Sequence, residues 1–139
     1  MNMTEIDKNK IAKIAKHYNL ALVLLFGSRA RGDARARSDF DIAYSSITPM
    51  DLEKESRMAV EFHETLKTPN VDLVNLSNTG PLLLKKIVDE SVVLYEIKQS
   101  IFNNLFLYAT RIYRESEFLN TLRRDFVLNR INQYKKDVA

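Results

Sequence analysis

Apolar residues recur at helical spacing from Ile6 through Ile11, Ile14 and Ala15 to Tyr18. The pattern predicts a helix opened by Thr4, a residue able to cap, and stopped at Asn19, with Lys8, Lys10, Lys13 and Lys16 facing solvent. Residues 21–26 (Ala-Leu-Val-Leu-Leu-Phe) are apolar throughout, as a buried strand would be. Gly27 then turns the chain, Ser28–Arg31 predicts a short helix, and Gly32-Asp33 breaks it. A second strand is expected from about Ser38 to Ser45, where polar and apolar residues alternate. Thr48-Pro49 opens a helix over about 50–67, with Leu52, Met58, Ala59, Phe62 and Leu66 as its buried stripe. After the turn Thr68-Pro69-Asn70, residues 71–76 alternate as a third strand, expected to be central in the sheet. Ser77 to Pro81 caps a helix running to Glu90, and residues 92–96 predict a short fourth strand.

This order describes an α+β core with a small mixed sheet and helices packed mainly on one side. Residues 98–136 behave differently. They contain no Gly or Pro, and Ile101, Leu105, Tyr108, Ile112, Leu119, Leu122 and Phe126 fall three to four apart. One long amphipathic helix is expected, or two with a break near Glu115-Ser116-Glu117. The division is therefore a core over residues 1–97 and a helical extension over 98–139, packed on the core and offering the rest of its stripe to a partner or a second copy.

Composition narrows the setting. Apolar content of 45% and charged content of 28% are ordinary for a globular chain. No apolar run approaches the roughly 20 residues that span a bilayer, so no membrane role is expected. The opening residues lack the pattern of a secretory signal, and with no cysteine present a cytoplasmic setting fits. A net charge of +3 does not by itself indicate nucleic acid.

Candidate chemistry concentrates between Gly27 and Asp41. Side chains at i and i+2 of a strand share a face, so Asp39 and Asp41 point the same way with Phe40 and Ile42 behind them. Two adjacent carboxylates repel unless a cation lies between them, and Mg²⁺ suits such oxygen ligands. The Gly27-Ser28 turn offers backbone N–H groups and a hydroxyl to phosphate oxygens. Arg29, Arg31, Arg35 and Arg37 crowd the loop against Asp33 alone. A solvated basic face needs no ligand, but Arg beside a phosphate turn can grip a triphosphate through paired hydrogen bonds; Arg29 and Arg37 are the candidates. Asp72, on an otherwise apolar strand, would be costly to bury without a metal or partner. It joins Asp39 and Asp41 unless it is a strand-end residue in water. His17 reads as a helix-end residue and His63 as a partly buried ordinary histidine.

Gly27-Ser28, ten intervening residues and Asp39-x-Asp41, followed by Val71-Asp72-Leu73-Val74, resemble the signature of the minimal nucleotidyltransferases in the DNA polymerase β superfamily. The resemblance spans roughly residues 10 to 97 and is greatest to MNT antitoxins paired with HEPN ribonuclease toxins. It implies a DNA polymerase β-like nucleotidyltransferase core and transfer of AMP from ATP. Asp39, Asp41 and Asp72 would be the catalytic residues and hold two Mg²⁺ ions, and Gly27, Ser28, Arg29 and Arg37 would bind the nucleotide. The acceptor would be a tyrosine hydroxyl of the HEPN toxin, which the added AMP inactivates. A homodimer or a larger hetero-oligomer with the toxin is compatible. Two alternatives stay open: an antitoxin that neutralises by binding alone, and a transferase acting on a small molecule such as an aminoglycoside-type antibiotic. Direct nucleic-acid binding has only the arginine loop for support, with no aromatic platform interleaved.

Overall fold

Strands β1 (Leu20–Phe26), β2 (Phe40–Ser46), β3 (Val71–Asn75) and β4 (Val92–Glu96) form one sheet in the order β3-β2-β1-β4. They belong to a computed structural model that describes residues 6–32 and 39–138. β1 runs antiparallel to β2 and β4, and β2 runs parallel to β3, so the sheet is mixed. β3 is thus an edge strand rather than a central one, and Asp72 on it is exposed. The cost of burying a carboxylate therefore cannot be what marks Asp72.

Helices cover both faces, not mainly one. α1 (Lys8–His17) and α3 (Leu52–Leu66) enclose Val23, Leu25, Phe40, Ile42 and Tyr44 with Ile11, Ile14, Met58 and Phe62. On the opposite face Leu22, Leu24 and Ala43 meet Leu84, Ile87 and Val88 of α4 (Pro81–Glu90) and Ala109 of α5 (Ile101–Val138). The reason lies in β1, whose residues alternate between the two cores yet are apolar on both sides, as a strand sandwiched between helices must be.

Caps set the helix starts. Thr4 lies outside the described residues; the cap observed is Asp7, whose carboxylate accepts from the Asn9 N–H at 2.9 Å. α3 starts at Leu52, later than expected, because Asp51 accepts from the Lys54 N–H at 2.7 Å. Leu52 then falls in an uncovered first turn and is 81% exposed, unlike Met58, Phe62 and Leu66 of the same expected stripe. Tyr44 donates its hydroxyl to the Glu55 carboxylate, tying β2 to α3; burial, reinforced by Glu55, pushes its pKa up.

α5 is a single helix of 38 residues, about 57 Å long, with no break at Glu115-Ser116-Glu117. That point instead marks where burial ends. Ile101, Phe102, Leu105 and Ile112 pack beside Ala109 on the core, and every residue from Glu117 to Val138 is exposed.

Candidate active site

Gly27 joins β1 to α2 (Ser28–Arg31) with φ 76° and ψ −157°, a conformation that essentially only glycine adopts. Its surroundings are equally restrictive. A Cβ at Gly27 would lie 2.2 Å from Oδ2 of Asp41 and 3.2 Å from its Cγ. The turn backbone therefore rests against the Asp41 carboxyl, a contact made possible by the pairing of Phe26 with Asp41 across β1 and β2. The Gly27 carbonyl accepts from the Arg31 N–H at 3.1 Å, and Gly32, at φ 80°, ends the short helix.

The acidic residues gather at the same end of the sheet. Asp41 stands in register with Asp72 across the parallel β2–β3 pair, and Asp39 precedes β2 by one residue. Burial raises the pKa of Asp41, and the charges of Asp72 and then Asp39 raise it further, while Arg31 opposes them. Carboxylate oxygens are the ligands a hard divalent cation takes, and such a cation would relieve that repulsion. Among the described residues, no three acidic or imidazole side chains, Asp39, Asp41 and Asp72 included, stand close enough together to hold a metal ion as they are placed.

Phe26, Gly27, Ser28, Arg31 and Asp41 line one side of an open cleft of about 340 Å³, and Leu83, Lys86, Ile87 and Glu90 of α4 line the other. Arg31 Nη1 donates to Glu90 Oε2 at 2.9 Å, linking the two walls. Of the two loop arginines among the described residues, Arg29 and Arg31, it is Arg31 that stands on the cleft wall. Arg29 lies with its guanidinium over the Phe40 ring, 4.4 Å from the centroid, on the side of the opposite core. Arg37 and Arg35 fall outside the described residues. Lys85 turns to Asp89 at 2.6 Å, while Lys86 lines the cleft. His17 is exposed at the end of α1, and His63 is half-buried within α3.

The sequence allows Lys85 and Lys86 to approach a nucleotide but favours exposed helix lysines, and nothing in it marks Glu90; the structure puts Lys86 and Glu90 on the cleft. Lys86 and Glu90 stand four apart and so share a helix face, but only the long-range packing of Ile87 under the sheet turns that face toward Ser28.

A family profile described as Polymerase beta, Nucleotidyltransferase matches residues 9–100. The chain belongs to this family. The nucleotidyltransferase region is also 33% identical over 92 residues to a Methanocaldococcus jannaschii protein named as a candidate protein adenylyltransferase, covering 66% of this chain and 97% of the relative. A chain of a toxin–antitoxin complex solved with AMP-PNP superposes with a TM-score of 0.73 at 25% identity, over 88% of this chain and 98% of that one. A chain of the complex between tri-AMPylated Shewanella oneidensis HEPN toxin and MNT antitoxin shares the fold, with a TM-score of 0.69 at 23% identity over 91% and 99% of the two chains.

Proposed function

We propose that this nucleotidyltransferase is the antitoxin of a toxin–antitoxin pair, working in the cytoplasm and moving AMP from ATP to a tyrosine hydroxyl of a HEPN-type toxin, which is thereby inactivated. The observation that carries the reading is the contact of the Gly27 turn with the Asp41 carboxyl, which joins a phosphate seat to an acidic seat in one cleft. The similarity to a toxin–antitoxin chain solved with an ATP analogue supports the substrate and the kind of partner. The name of the archaeal relative supports a protein acceptor.

In this reading the backbone N–H groups and hydroxyl of Gly27-Ser28 donate to the β- and γ-phosphate oxygens, and Arg31 pairs with the same phosphates from the neighbouring turn of chain. Arg29 and Arg37 are further candidates for the triphosphate. Asp39, Asp41 and Asp72 would hold two Mg²⁺ ions, which when bound neutralise the entering and leaving oxygens. Asp72, exposed at the sheet edge, accepts the proton of the attacking hydroxyl and can pass it to water. The acceptor oxygen forms a bond to the α-phosphorus as the bond to pyrophosphate breaks. Residues 1–97 carry this chemistry, and the exposed part of α5 in the extension 98–139 seats the acceptor protein.

The test is the intact mass of the co-encoded partner after incubation with this chain, ATP and Mg²⁺, with Asp39→Asn as control. Gain of whole AMP units, absent from the control, is expected. A stable complex without mass gain favours neutralisation by binding alone, and no complex at all favours a small-molecule acceptor.

A further inference from the structure

We propose that Glu90 is a positioning residue that sets the grip of the cleft on polyphosphate by holding Arg31 until a triphosphate displaces it. The inference rests on the nucleotidyl-transfer reading and adds a wall of the site, α4, that the Gly27–Asp41 stretch does not contain. Arg31 and Glu90 are 59 residues apart in sequence, yet their side chains meet at 2.9 Å across the cleft that Ser28 and Asp41 also line. The two side chains are 41% and 29% exposed, so a ligand can reach both, and a pair so open to water contributes little to folding.

A polyphosphate carries more charge than one carboxylate and accepts from guanidinium in the same paired geometry. It therefore wins Arg31 from Glu90, but its net affinity is reduced by the pair it breaks. Glu90 then stands beside the phosphates with Lys86 one helical turn away on the same face. Among the described residues Lys86 forms no ion pair, whereas Lys85 is held by Asp89. The released carboxylate thus has a cation to take up, and it can reclaim Arg31 when pyrophosphate leaves. Glu90 acts through Arg31 and does not touch the reacting atoms.

Calorimetric binding of inorganic tripolyphosphate and of AMP-PNP to the full chain tests this, using wild type, Glu90→Gln, Arg31→Gln and the double variant. Glu90→Gln is expected to tighten both ligands about 5-fold, the scale of one partly exposed ion pair. On the Arg31→Gln background the same change is expected to have no effect, a coupling that a merely structural role or a general loss of negative charge does not produce. The ligand-free melting temperature should move by less than about 2 °C. Unchanged or weaker binding by Glu90→Gln overturns the inference, as does equal tightening with Arg31 replaced. A wild type that binds both ligands but modifies no partner defeats the transfer reading alone; one that binds neither defeats both.

Discussion

At the Gly27 turn a single added carbon would sit 2.2 Å from an Asp41 oxygen, whereas from Glu117 to Val138 every position of α5 faces solvent and admits a side chain of any size. The two regions carry different kinds of information. The turn is specified by backbone conformation and contact, so its tolerance is measured in fractions of an ångström. The distal helix is specified by periodicity and a row of exposed apolar groups, among them Phe118, Leu122, Phe126 and Ile131. In the proposed function, chemistry is assigned to the first kind of region and recognition to the second.

The largest effect expected from breaking this contrast is at Gly27. Gly27→Ala forces a side chain into a positive-φ backbone and against the Asp41 carboxyl, which should cost about 1–3 kcal/mol of stability. Misplacing the phosphate seat should also lower AMP transfer at least about 100-fold. Denaturant titration and single-turnover transfer measure the two, and near-normal transfer would refute the role of the turn.

Next comes the distal helix. The pair Leu122→Asp and Phe126→Asp should weaken partner binding about 30-fold or more while leaving the melting temperature within about 2 °C, because both residues are exposed. Nucleotide binding should be untouched. A marked loss of stability would show instead that this stretch packs on its own chain.

Asp72→Asn sharpens the electrostatic side of the comparison. Asp41 is held above its ordinary carboxylate range by burial, by Asp72 and by Asp39, so removing Asp72 should lower the Asp41 titration midpoint seen by carbon NMR in metal-free protein. The sign for stability follows. A carboxyl whose folded pKa is raised costs stability when ionised, and that cost disappears as the pH falls through the folded pKa. Asp72→Asn should therefore melt higher than wild type at neutral pH, and the advantage should vanish under acid. At the small end, Leu52→Ser in the uncovered first turn of α3 should change unfolding free energy by less than about 0.5 kcal/mol.

The same contrast explains what was legible in the sequence. Gly27, Ser28, Asp39 and Asp41 lie within 15 residues of sequence, so their spacing marks them together, and the pairing of Phe26 with Asp41 across β1 and β2 closes the contact. Two arguments point to Asp72 in the sequence, the resemblance of Val71-Asp72-Leu73-Val74 to the family signature and the cost of burial, and the edge position of β3 removes the second. What places Asp72 is register with Asp41 across a parallel pair, and no local pattern encodes register between segments 31 residues apart. Arg31 rather than Arg29 on the cleft wall follows from where α4 packs, again a long-range fact. The second helical layer was encoded after all in the two-sided apolarity of β1. The continuity of α5 was not decided by its stripe, since Glu115-Ser116-Glu117 ends the buried face without ending the helix.

Ala109, the one fully buried residue of α5, has a mechanical consequence. It rests on the sheet with Leu22, Leu24 and Ala43 as near neighbours in the core, and 29 residues separate it from Val138. At 1.5 Å per residue that is a rod of about 44 Å measured from this buried methyl, with Ile112 the last residue packed on the core, so a tilt of about 5° about that fulcrum would carry the tip about 4 Å. A bulkier residue at the fulcrum would re-aim the whole rod while leaving every residue on its outer half unchanged.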